Sequence, residues 1–402
     1  MKVLIIPSWY PNKDNAMAGS FFHEQATLLF ENGHDIKILF GKLKAVSRLS
    51  HLKKKLKGKF SKKGIILNTE YLIQHPVAFS FDVCVADHWG DESKYYGLCH
   101  EYRQAFAELI SGGWKPDLIH AQSTVDAGIV AAYLSEVFKI PFVIIEHQLF
   151  LLNQYSQFKQ ERIVNALQRA AKVGAVSNHQ KRCLLMNNIK CNPIVIWNFV
   201  DETKFNFVKK VTGSKFRIMT IAYPSYIKDM ETFFKSMKLF TELSDGEDEI
   251  IVVGNSLNKH SEKANPFDFE KMANKYGVFS KCTFIPDITR DKVAGLMNSV
   301  DVFISTSIAE TFGVAVREAM LSGVPVVVTA SGGVEDSVNE QTGIKTEIGD
   351  AEGIAQSVLK IKTGQVKFEP ASLRNLVISQ SGRSAFLKTM NSFYFLSNDK
   401  RN

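Results

Sequence analysis

Two glutamates, Glu310 and Glu318, stand eight residues apart on either side of Gly313. Residues 301–305 predict a buried strand, and Gly313 predicts the start of a helix that ends near Leu321. The N-terminus of such a helix attracts anions, because its unpaired N–H groups and its dipole both favour negative charge. The spacing therefore predicts an anion site with one carboxylate before it and another beyond it.

This order of groups matches the order of groups in a nucleotide sugar, which has sugar hydroxyls, a diphosphate and ribose hydroxyls in series. Carboxylates are good hydrogen-bond acceptors for hydroxyls. Glu318 lies about five residues into the predicted helix, roughly 7 Å along its axis. We hypothesise that the segment binds such a ligand. The alternative is that both glutamates merely lie on the surface of a helix.

Alternating strand and helix patterns would position this segment. Strands are predicted at 2–6, 36–40, 117–120, 142–146, 173–176 and 194–196, and in a second series at 217–222, 249–253, 282–285, 302–305 and 324–329. Such alternation gives doubly wound parallel sheets, with ligand sites beyond the carboxyl ends of the strands. The pattern lapses over 198–215. We therefore predict an α/β protein of two Rossmann-like domains that are joined near residue 200 and face a cleft.

Size and composition agree with two soluble domains. The chain has 402 residues, of which 45% are hydrophobic and 22% are charged, as in ordinary globular proteins. Its five cysteines include no Cys-x-x-Cys pair, which argues against a disulfide framework or a zinc site and favours a reducing compartment. The apolar run before Pro7 is too short for a signal peptide, and no stretch approaches the roughly 18 apolar residues of a membrane-spanning helix. These features predict a cytoplasmic protein.

The net charge of +8 is concentrated in residues 42–63, which hold ten Lys or Arg and no acidic residue. Apolar residues recur there every three or four positions, at Leu43, Val46, Leu49, Leu52, Leu56 and Phe60. This rhythm predicts an amphipathic helix on an anionic membrane surface, with a basic face that includes Lys53, Lys54, Lys55 and Lys57. The alternatives are a solvated helix or loop, and nucleic-acid binding. We favour the membrane over nucleic acid, since no aromatic platform accompanies the charge.

Several groups of residues follow one another in order around the two glutamates. They are Asp301-Val-Phe-Ile-Ser, Glu310-x-Phe-Gly, Glu318-Ala-Met, Gly323-Val-Pro-Val and Gly332-Gly333. With them the sequence resembles the family-4 glycosyltransferases, retaining enzymes of the GT-B fold whose mark is an E-x₇-E signature. The resemblance continues through Pro7-Ser-Trp-Tyr-Pro and Pro141-Phe-Val-Ile-Ile-Glu-His and covers nearly the whole chain.

The resemblance implies roles for individual residues. Glu310 would hold donor-sugar hydroxyls, Lys228 would neutralise the diphosphate, and His147 would lie near sugar and acceptor; without the family, a structural histidine would be favoured. The donor would also contact Gly19, Thr311, Phe312, Gly313, Val314 and Glu318. Tyr223 stands where the family commonly has an arginine. Arg290 is the candidate for that second cation, because such clamps stabilise a leaving diphosphate.

The same resemblance implies a retaining hexosyltransferase that uses a nucleotide diphosphate sugar, by default a UDP-sugar. The acceptor would be a lipid-linked saccharide in capsule, O-antigen or exopolysaccharide biosynthesis, at the inner face of the membrane. Residues 1–200 would bind the acceptor, residues 201–378 the donor, and residues 379–402 would form a helix that crosses back. No Asp-x-Asp ends a strand, so we expect no metal or other cofactor. The alternatives are a nucleotide-sugar 2-epimerase and a non-catalytic nucleotide or membrane-surface binding protein.

Overall fold

The computed structural model describes residues 1–11, 19–46, 67–69, 75–86, 88–208, 215–254, 267–286 and 288–396. The chain divides into two compact units, one made of residues 1–196 and 387–402 and the other of residues 197–386. The sequence places these boundaries at residues 200 and 378. Each unit is a doubly wound α/β structure, as the strand and helix patterns predict.

The first unit contains one mostly parallel sheet. Its strands are β1 (Lys2–Pro7), β2 (Asp35–Val46), β3 (Asn68–Thr69), β4 (Val77–Ala86), β5 (Leu118–Gln122), β6 (Phe142–Glu146), β7 (Lys172–Ala175) and β8 (Ile194–Val195). Its helices are α1 (Ser20–Glu31), α2 (Asp91–Ser111), α3 (Ile129–Phe138), α4 (Gln157–Arg169) and α5 (Asn178–Met186). The strand order is β3-β4-β2-β1-β5-β6-β7-β8, and β3 pairs antiparallel to β4. The periodicity predicts six of these strands but neither β3 nor β4.

The second unit contains a fully parallel sheet. Its strands are β9 (Phe216–Ile221), β10 (Asp248–Val253), β11 (Cys282–Ile285), β12 (Val302–Ser305), β13 (Val326–Thr329) and β14 (Gly343–Thr346). Its helices are α6 (Met230–Leu243), α7 (Phe269–Lys275), α8 (Arg290–Met297), α9 (Val314–Leu321), α10 (Ala351–Lys362) and α11 (Pro370–Ser381). The strand order is β11-β10-β9-β12-β13-β14. The sequence predicts every strand of this unit except β14.

Central strands of both sheets are buried apolar runs, because helices cover both faces of such sheets. All five residues of β6 and all four of β13 are buried. Phe106 of α2 packs over the first sheet and Phe233 of α6 over the second, each fully buried in its own core. Burial of these runs fixes the strand ends, from which the loops of the candidate site leave.

The basic segment departs from the predicted helix at its beginning. Residues 42–46 are the last residues of strand β2, which pairs with β4 as far as Val46 and Ala86. The helix prediction is therefore wrong for these five residues, because the ladder with β4 outweighs the helical spacing of Leu43 and Val46. Residues 47–63, with Lys53, Lys54, Lys55 and Lys57, lie outside the described residues. Among the described helices, none has the length and apolar character needed to cross a membrane.

The C-terminal segment forms two helices where the sequence predicts one from residue 379. Residues 379–381 end α11, Gly382 follows, and the next helix is α12 (Arg383–Tyr394). The later part of α12 belongs to the first unit. There the Tyr394 hydroxyl lies 2.8 Å from His120 Nδ1, and Asn391 Oδ1 lies 3.0 Å from His34 Nε2. The last described residues thus belong to the first unit, together with residues 1–196.

Candidate active site

The second sheet reverses its strand order at a point that brings two predicted site residues together. β9 is the neighbour of both β10 and β12, so the chain leaves β9 toward one side and returns on the other. Loops that follow strands at such a reversal diverge and leave a crevice for ligands. Lys228 follows β9 and Glu310 follows β12. Both therefore lie at the carboxyl edge of the sheet, where nucleotide sites of doubly wound folds form.

Lys228 and Glu310 form a close ion pair at this edge. Lys228 Nζ lies 2.7 Å from Glu310 Oε2, and the two side chains are 18% and 19% exposed. The structure thus brings together two of the three residues predicted to be catalytic. A charged pair with partial access to solvent can exchange its partners with an incoming ligand, since neither charge is sealed in the core.

Backbone contacts hold the two loops of this pair against each other. The Thr306 hydroxyl donates to the carbonyl oxygens of Lys228, at 3.0 Å, and Asp229, at 3.1 Å. The Ile308 N–H donates to the carbonyl of Ile227 at 2.7 Å. The short 3₁₀ turn that carries Lys228 is therefore fixed to the segment that leads into Glu310, which limits how far the two charges can separate.

The environment keeps Lys228 charged. Burial opposes its protonation, but the carboxylate of Glu310 outweighs burial through charge and hydrogen bonding, and Tyr223 adds a smaller effect, so the pKa of Lys228 is raised above its usual value. A lysine in this state remains an ammonium at neutral pH. It is suited to stabilising an anion and unsuited to acting as a general base.

Two glycines allow the Glu310 loop to reach its position. The Glu310 N–H donates to the carbonyl of Ser331 at 2.8 Å, and the Gly333 N–H donates to the carbonyl of Glu310 at 2.6 Å. A Cβ on Gly333 would lie 2.0 Å from the carbonyl oxygen of Thr311. Gly332 has φ of 104°, a conformation that side chains disfavour. The Gly332-Gly333 pair is thus required for the approach of these two loops.

Gly313 opens helix α9 in the left-handed conformation, with φ of 80°. A Cβ there would lie 2.4 Å from a methyl group of Val334. The Phe312 ring is buried, at 1% exposure, so only its backbone can face a ligand, while Thr311 and Val314 are partly buried. The first amides of an α-helix have no partner within the helix. The helix thus starts at the glycine that the sequence indicates, and the binding of an anion there stays a prediction.

The second glutamate is also paired with a cation. Glu318, on the second turn of α9, contacts the guanidinium of Arg290 at the start of α8. Their side chains are 6% and 11% exposed. Arg290 is the predicted substitute for the arginine that the family commonly carries, and the structure places its guanidinium on Glu318. Its proposed contact with a phosphate stays a prediction.

Arg317, which the sequence analysis did not select, is fully buried beside the Glu310 loop. Its guanidinium lies 3.8 Å from the centre of the Phe312 ring, contacts the carbonyl of Phe312 and donates to the carbonyl of Gly333 at 3.2 Å. Burial lowers its pKa to about 9. The signal for it was an Arg-Glu pair in an otherwise apolar eight-residue helix. Arg317 connects both loops that position Glu310.

Tyr223 lies over Lys228 at the position that the family commonly gives to arginine. The ammonium of Lys228 is 5.5 Å from the centre of the Tyr223 ring, and the tyrosine is 59% exposed. This distance is within the range of cation–π attraction. The tyrosine ring therefore attracts the Lys228 ammonium. An arginine at position 223 would repel it.

In the first unit, the predicted residues His147 and Gly19 meet at an aromatic cluster. His147 follows β6, is 6% exposed and lies 4.7 Å from the Phe22 ring, centre to centre, and 5.7 Å from the Phe21 ring. Gly19 precedes these phenylalanines at the start of α1 with φ of 69°. A Cβ on Gly19 would lie 2.9 Å from the carbonyl oxygen of Trp9. The need for glycine there is thus conformational as well as steric.

Glu146, the residue before His147, is a buried carboxylate that the sequence analysis also passed over. It is 1% exposed and accepts hydrogen bonds from the N–H groups of Thr124, at 2.9 Å, and Gln148, at 2.8 Å. Burial raises the pKa of Glu146, although these hydrogen bonds oppose the shift. An acidic residue at the end of an apolar strand was its signal. Its carboxylate thus ties the backbone just after His147 to the segment at Thr124.

Within the described parts of the chain, no group of three or more His, Cys, Asp or Glu side chains is placed to hold a metal ion. The buried carboxylate of Asp248, at the start of β10, pairs instead with Lys362 at 2.6 Å. The expectation of metal-independent chemistry stays a prediction.

Two family models match consecutive parts of the chain. Residues 85–204 match "Glycosyltransferase Family 4", and residues 201–375 match "Glycosyl transferases group 1". The second match contains Lys228, Arg290, Glu310 and Glu318. An uncharacterized glycosyltransferase of Methanocaldococcus jannaschii is 23% identical over 252 residues, which are 58% of this chain and 62% of that relative. The chain covers less than two thirds of the length of each of the first curated relatives that it matches.

Solved structures share the whole architecture. Sucrose-phosphate synthase from Thermosynechococcus elongatus aligns with a TM-score of 0.76 at 16% identity, over 98% of both chains. The Anabaena protein HepE, in complex with UDP, aligns with a TM-score of 0.71 at 17% identity, over 98% of this chain and 99% of that one. At this level of identity the likeness shows the fold. These matches and the two Rossmann-like units support a glycosyltransferase of the GT-B fold, with the group 1 segment in its second unit.

Proposed function

We propose that this chain moves a hexose, with retention of configuration, from a UDP-sugar to a lipid-linked saccharide. The observation that carries the proposal is the Lys228–Glu310 pair at the strand-order reversal of the second sheet, next to the start of α9. The HepE structures contain UDP and UDP-glucose, which supports a nucleotide sugar as the donor. Glu318 stands one further turn along the same helix.

The reaction would break the bond between the anomeric carbon and the diphosphate oxygen and form one to the acceptor hydroxyl on the same face. The departing diphosphate would take the proton of that hydroxyl, so no enzyme nucleophile is needed. Lys228 would neutralise the diphosphate, while Glu310 and Glu318 would accept hydrogen bonds from sugar and ribose hydroxyls. The protein would contribute position and charge stabilisation.

The ion pairs suggest how the donor would be received. Without a ligand, Glu310 and Glu318 each have a cationic partner. A bound diphosphate would offer Lys228 a stronger anion than one carboxylate, and the sugar hydroxyls would then satisfy Glu310. This exchange needs little movement, because Thr306 ties the two loops together. Such preorganisation reduces the cost of binding.

The acceptor side of the proposal rests on charge. Residues 47–63 contain eight Lys or Arg and no acidic residue, which suits a protein that works on the anionic inner face of a membrane. A lipid-linked saccharide is an acceptor found at such a surface, and capsule, O-antigen or exopolysaccharide synthesis would use it. We propose no nucleic-acid partner.

The first test is release of nucleoside diphosphate from a panel of nucleotide sugars by the wild type, Glu310→Ala and Glu318→Ala. We expect release with one donor and at least a hundredfold loss in Glu310→Ala, in line with the removal of one transition-state contact. The exposed Glu340→Ala is a matched control. Turnover that survives both substitutions would disprove the site.

Two other outcomes would indicate a different function. A sugar isomerised without an acceptor would indicate a 2-epimerase. Thermal stabilisation by a nucleotide, with neither transfer nor hydrolysis in the presence of lipid-linked acceptors, would indicate a binding protein. This alternative is considered because Tyr223 replaces an arginine that the family commonly has.

A further inference from the structure

A cavity lies at the carboxyl edge of the first sheet, and none of the predicted site residues that the structure describes lines it. Its volume is about 490 Å³, in the range of small-molecule sites. Its apolar walls are formed by Leu43, Val85, Tyr95, Leu98, Ile129 and Phe158. Both units contain doubly wound sheets of the kind that binds nucleotides. The walls of this cavity are largely aliphatic and aromatic, so the cavity suits a more apolar ligand than a nucleotide.

The cavity exists because two strands outrun the rest of the sheet. β1 pairs with β2 only as far as Ile5 and Ile38, whereas the β2–β4 ladder continues to Val46 and Ala86. Among the described strands, the extension therefore has no pairing partner on the β1 side. The beginnings of α2 and α4 stand beside it without filling the space. Leu43, on the extension, is 61% exposed, so this part of the apolar wall is open to solvent.

A guanidinium is held inside these walls by aromatic rings. The Arg162 guanidinium carbon lies 5.3 Å from the centre of the Tyr95 ring and 5.0 Å from that of Phe158. Its Nε is buried and has no hydrogen-bond partner among the described residues. A buried donor without a partner is costly. Arg162 is thus oriented for a ligand that brings an acceptor.

No carboxylate among the described residues forms an ion pair with this cation, and the lining holds three cations and two carboxylates. Asp126 pairs with Lys159 at 3.5 Å, and Asp91 accepts a hydrogen bond from the Ser156 hydroxyl. Lys94, also at the wall, is exposed and makes no ion pair within the described structure. The balance of charge therefore favours an anion, and a phosphate fits guanidinium geometry well.

We propose that this cavity binds a lipid phosphate, with the hydrocarbon chain against the apolar walls and the phosphate on Arg162 and Lys94. The inference rests on the proposed function in that the lipid would be the carrier of the saccharide acceptor. An inorganic phosphate would leave the apolar walls wet, and a neutral hydrocarbon would leave the guanidinium without an acceptor. Both halves of the ligand are therefore required.

The test is binding of decyl phosphate, below its micelle concentration, to the full chain by titration calorimetry. We expect saturable binding at one site per chain, at least tenfold tighter than that of decanol or inorganic phosphate. Arg162→Gln should weaken it about tenfold, as loss of a charge-assisted hydrogen bond does. Val85→Phe, which occupies the wall, should weaken it by a similar factor.

Matched controls are Arg103→Gln, an exposed arginine on α2, and Val137→Phe, a 38% exposed valine on α3; neither should change the affinity. Binding that is equal in all variants, absent, or as tight for decanol as for decyl phosphate would overturn the inference. Unchanged thermal unfolding of the variants would separate these results from misfolding. Nucleoside diphosphate release needs no lipid, so the two proposals can fail independently.

Discussion

The Lys228–Glu310 pair differs from the surface ion pairs of this protein in its surroundings. Lys238 and Glu242 on α6 are 3.8 Å apart and both more than half exposed, so water and salt screen their attraction. The partners at the candidate site are each less than one-fifth exposed. A cation in such a place has a larger effect on a bound anion, because the local dielectric is lower.

We predict that Lys228→Met lowers the rate of nucleoside diphosphate release at least a hundredfold, since the ammonium that would neutralise the leaving diphosphate is lost. The measurement is steady-state release with the donor found in the panel. Lys238→Met, on the exposed pair, should leave the rate within about twofold. A Lys228→Met rate close to that of the wild type would remove Lys228 from the site.

Tyr223 allows a gain-of-function prediction. Tyr223→Arg would place a second cation beside Lys228, and we expect about tenfold tighter binding of the nucleoside diphosphate with a steeper dependence on salt. Tyr223→Phe keeps the ring over the ammonium and should change the affinity little. Calorimetry at two ionic strengths measures both. Weaker binding by Tyr223→Arg would mean that the ligand needs the phenol ring.

The residues that the sequence predicted and those that it missed differ in what they contact. Glu310 and Glu318 carry a recognisable spacing, whereas Arg317 acts through carbonyl groups of Phe312 and Gly333. Every residue has a carbonyl group, so a contact with the backbone does not require a particular partner residue that the sequence could reveal. The pairing of Arg290 with Glu318 was likewise invisible, because it depends on the distance between two helix ends.

At the scale of elements, the site depends on two loops in unusually close contact. The parallel bridge between Glu310 and Gly332 extends the sheet beyond β12 and β13. Strand and helix periodicity predicts the elements on either side of these loops but not the bridge between them. Its only sign in the sequence is the double glycine.

We predict that Gly333→Ala lowers nucleoside diphosphate release by at least tenfold while the second unit stays folded. The added Cβ would meet the backbone of Thr311, so the Glu310 loop must move away from its position. Gly295→Ala in α8 is the control, because nothing lies near its Cβ and alanine favours a helix. Full activity of Gly333→Ala would show that the loop contact is dispensable. Circular dichroism would confirm folding of both variants.

Strands β3, β4 and β14 show where the sequence alone was insufficient. β4 includes partly and fully exposed positions and is interrupted by Ser80 and Asp82, so it lacks the continuous apolar run of the central strands. The extension of β2 to Val46 was hidden by apolar spacing that fits a helix equally well. Both segments are decided by pairing between strands, which is a tertiary effect.

For the whole molecule, His120 couples stability to pH. Burial lowers its pKa to about 3, from an ordinary value of 6.5, and its Nδ1 is bonded to Tyr394. Below pH 6.5 the unfolded chain binds a proton that the folded unit excludes, so the free energy of unfolding falls as the pH falls toward 3. The slope from this group is about 1.4 kcal/mol per pH unit.

We predict that His120→Gln removes this part of the acid sensitivity of the first unit. The measurement is urea unfolding from pH 7.5 to 4.5, followed by tryptophan fluorescence, to which the first unit contributes three of the four tryptophans. The difference between the two proteins isolates His120 from Glu146, whose raised pKa acts in the opposite direction. Parallel pH profiles would contradict a neutral His120.

The return of α12 to the first unit has a consequence for the order in which the two units are completed along the sequence. Residues 197–386 form one uninterrupted stretch, so every residue of the second unit comes from a single continuous segment. The first unit instead needs Asn391 and Tyr394, which follow the whole second unit in the sequence and supply the partners of His34 and His120. Lys172 likewise donates to the carbonyl groups of Ser392 and Phe395. The second unit is therefore complete in sequence before the first, although it begins later.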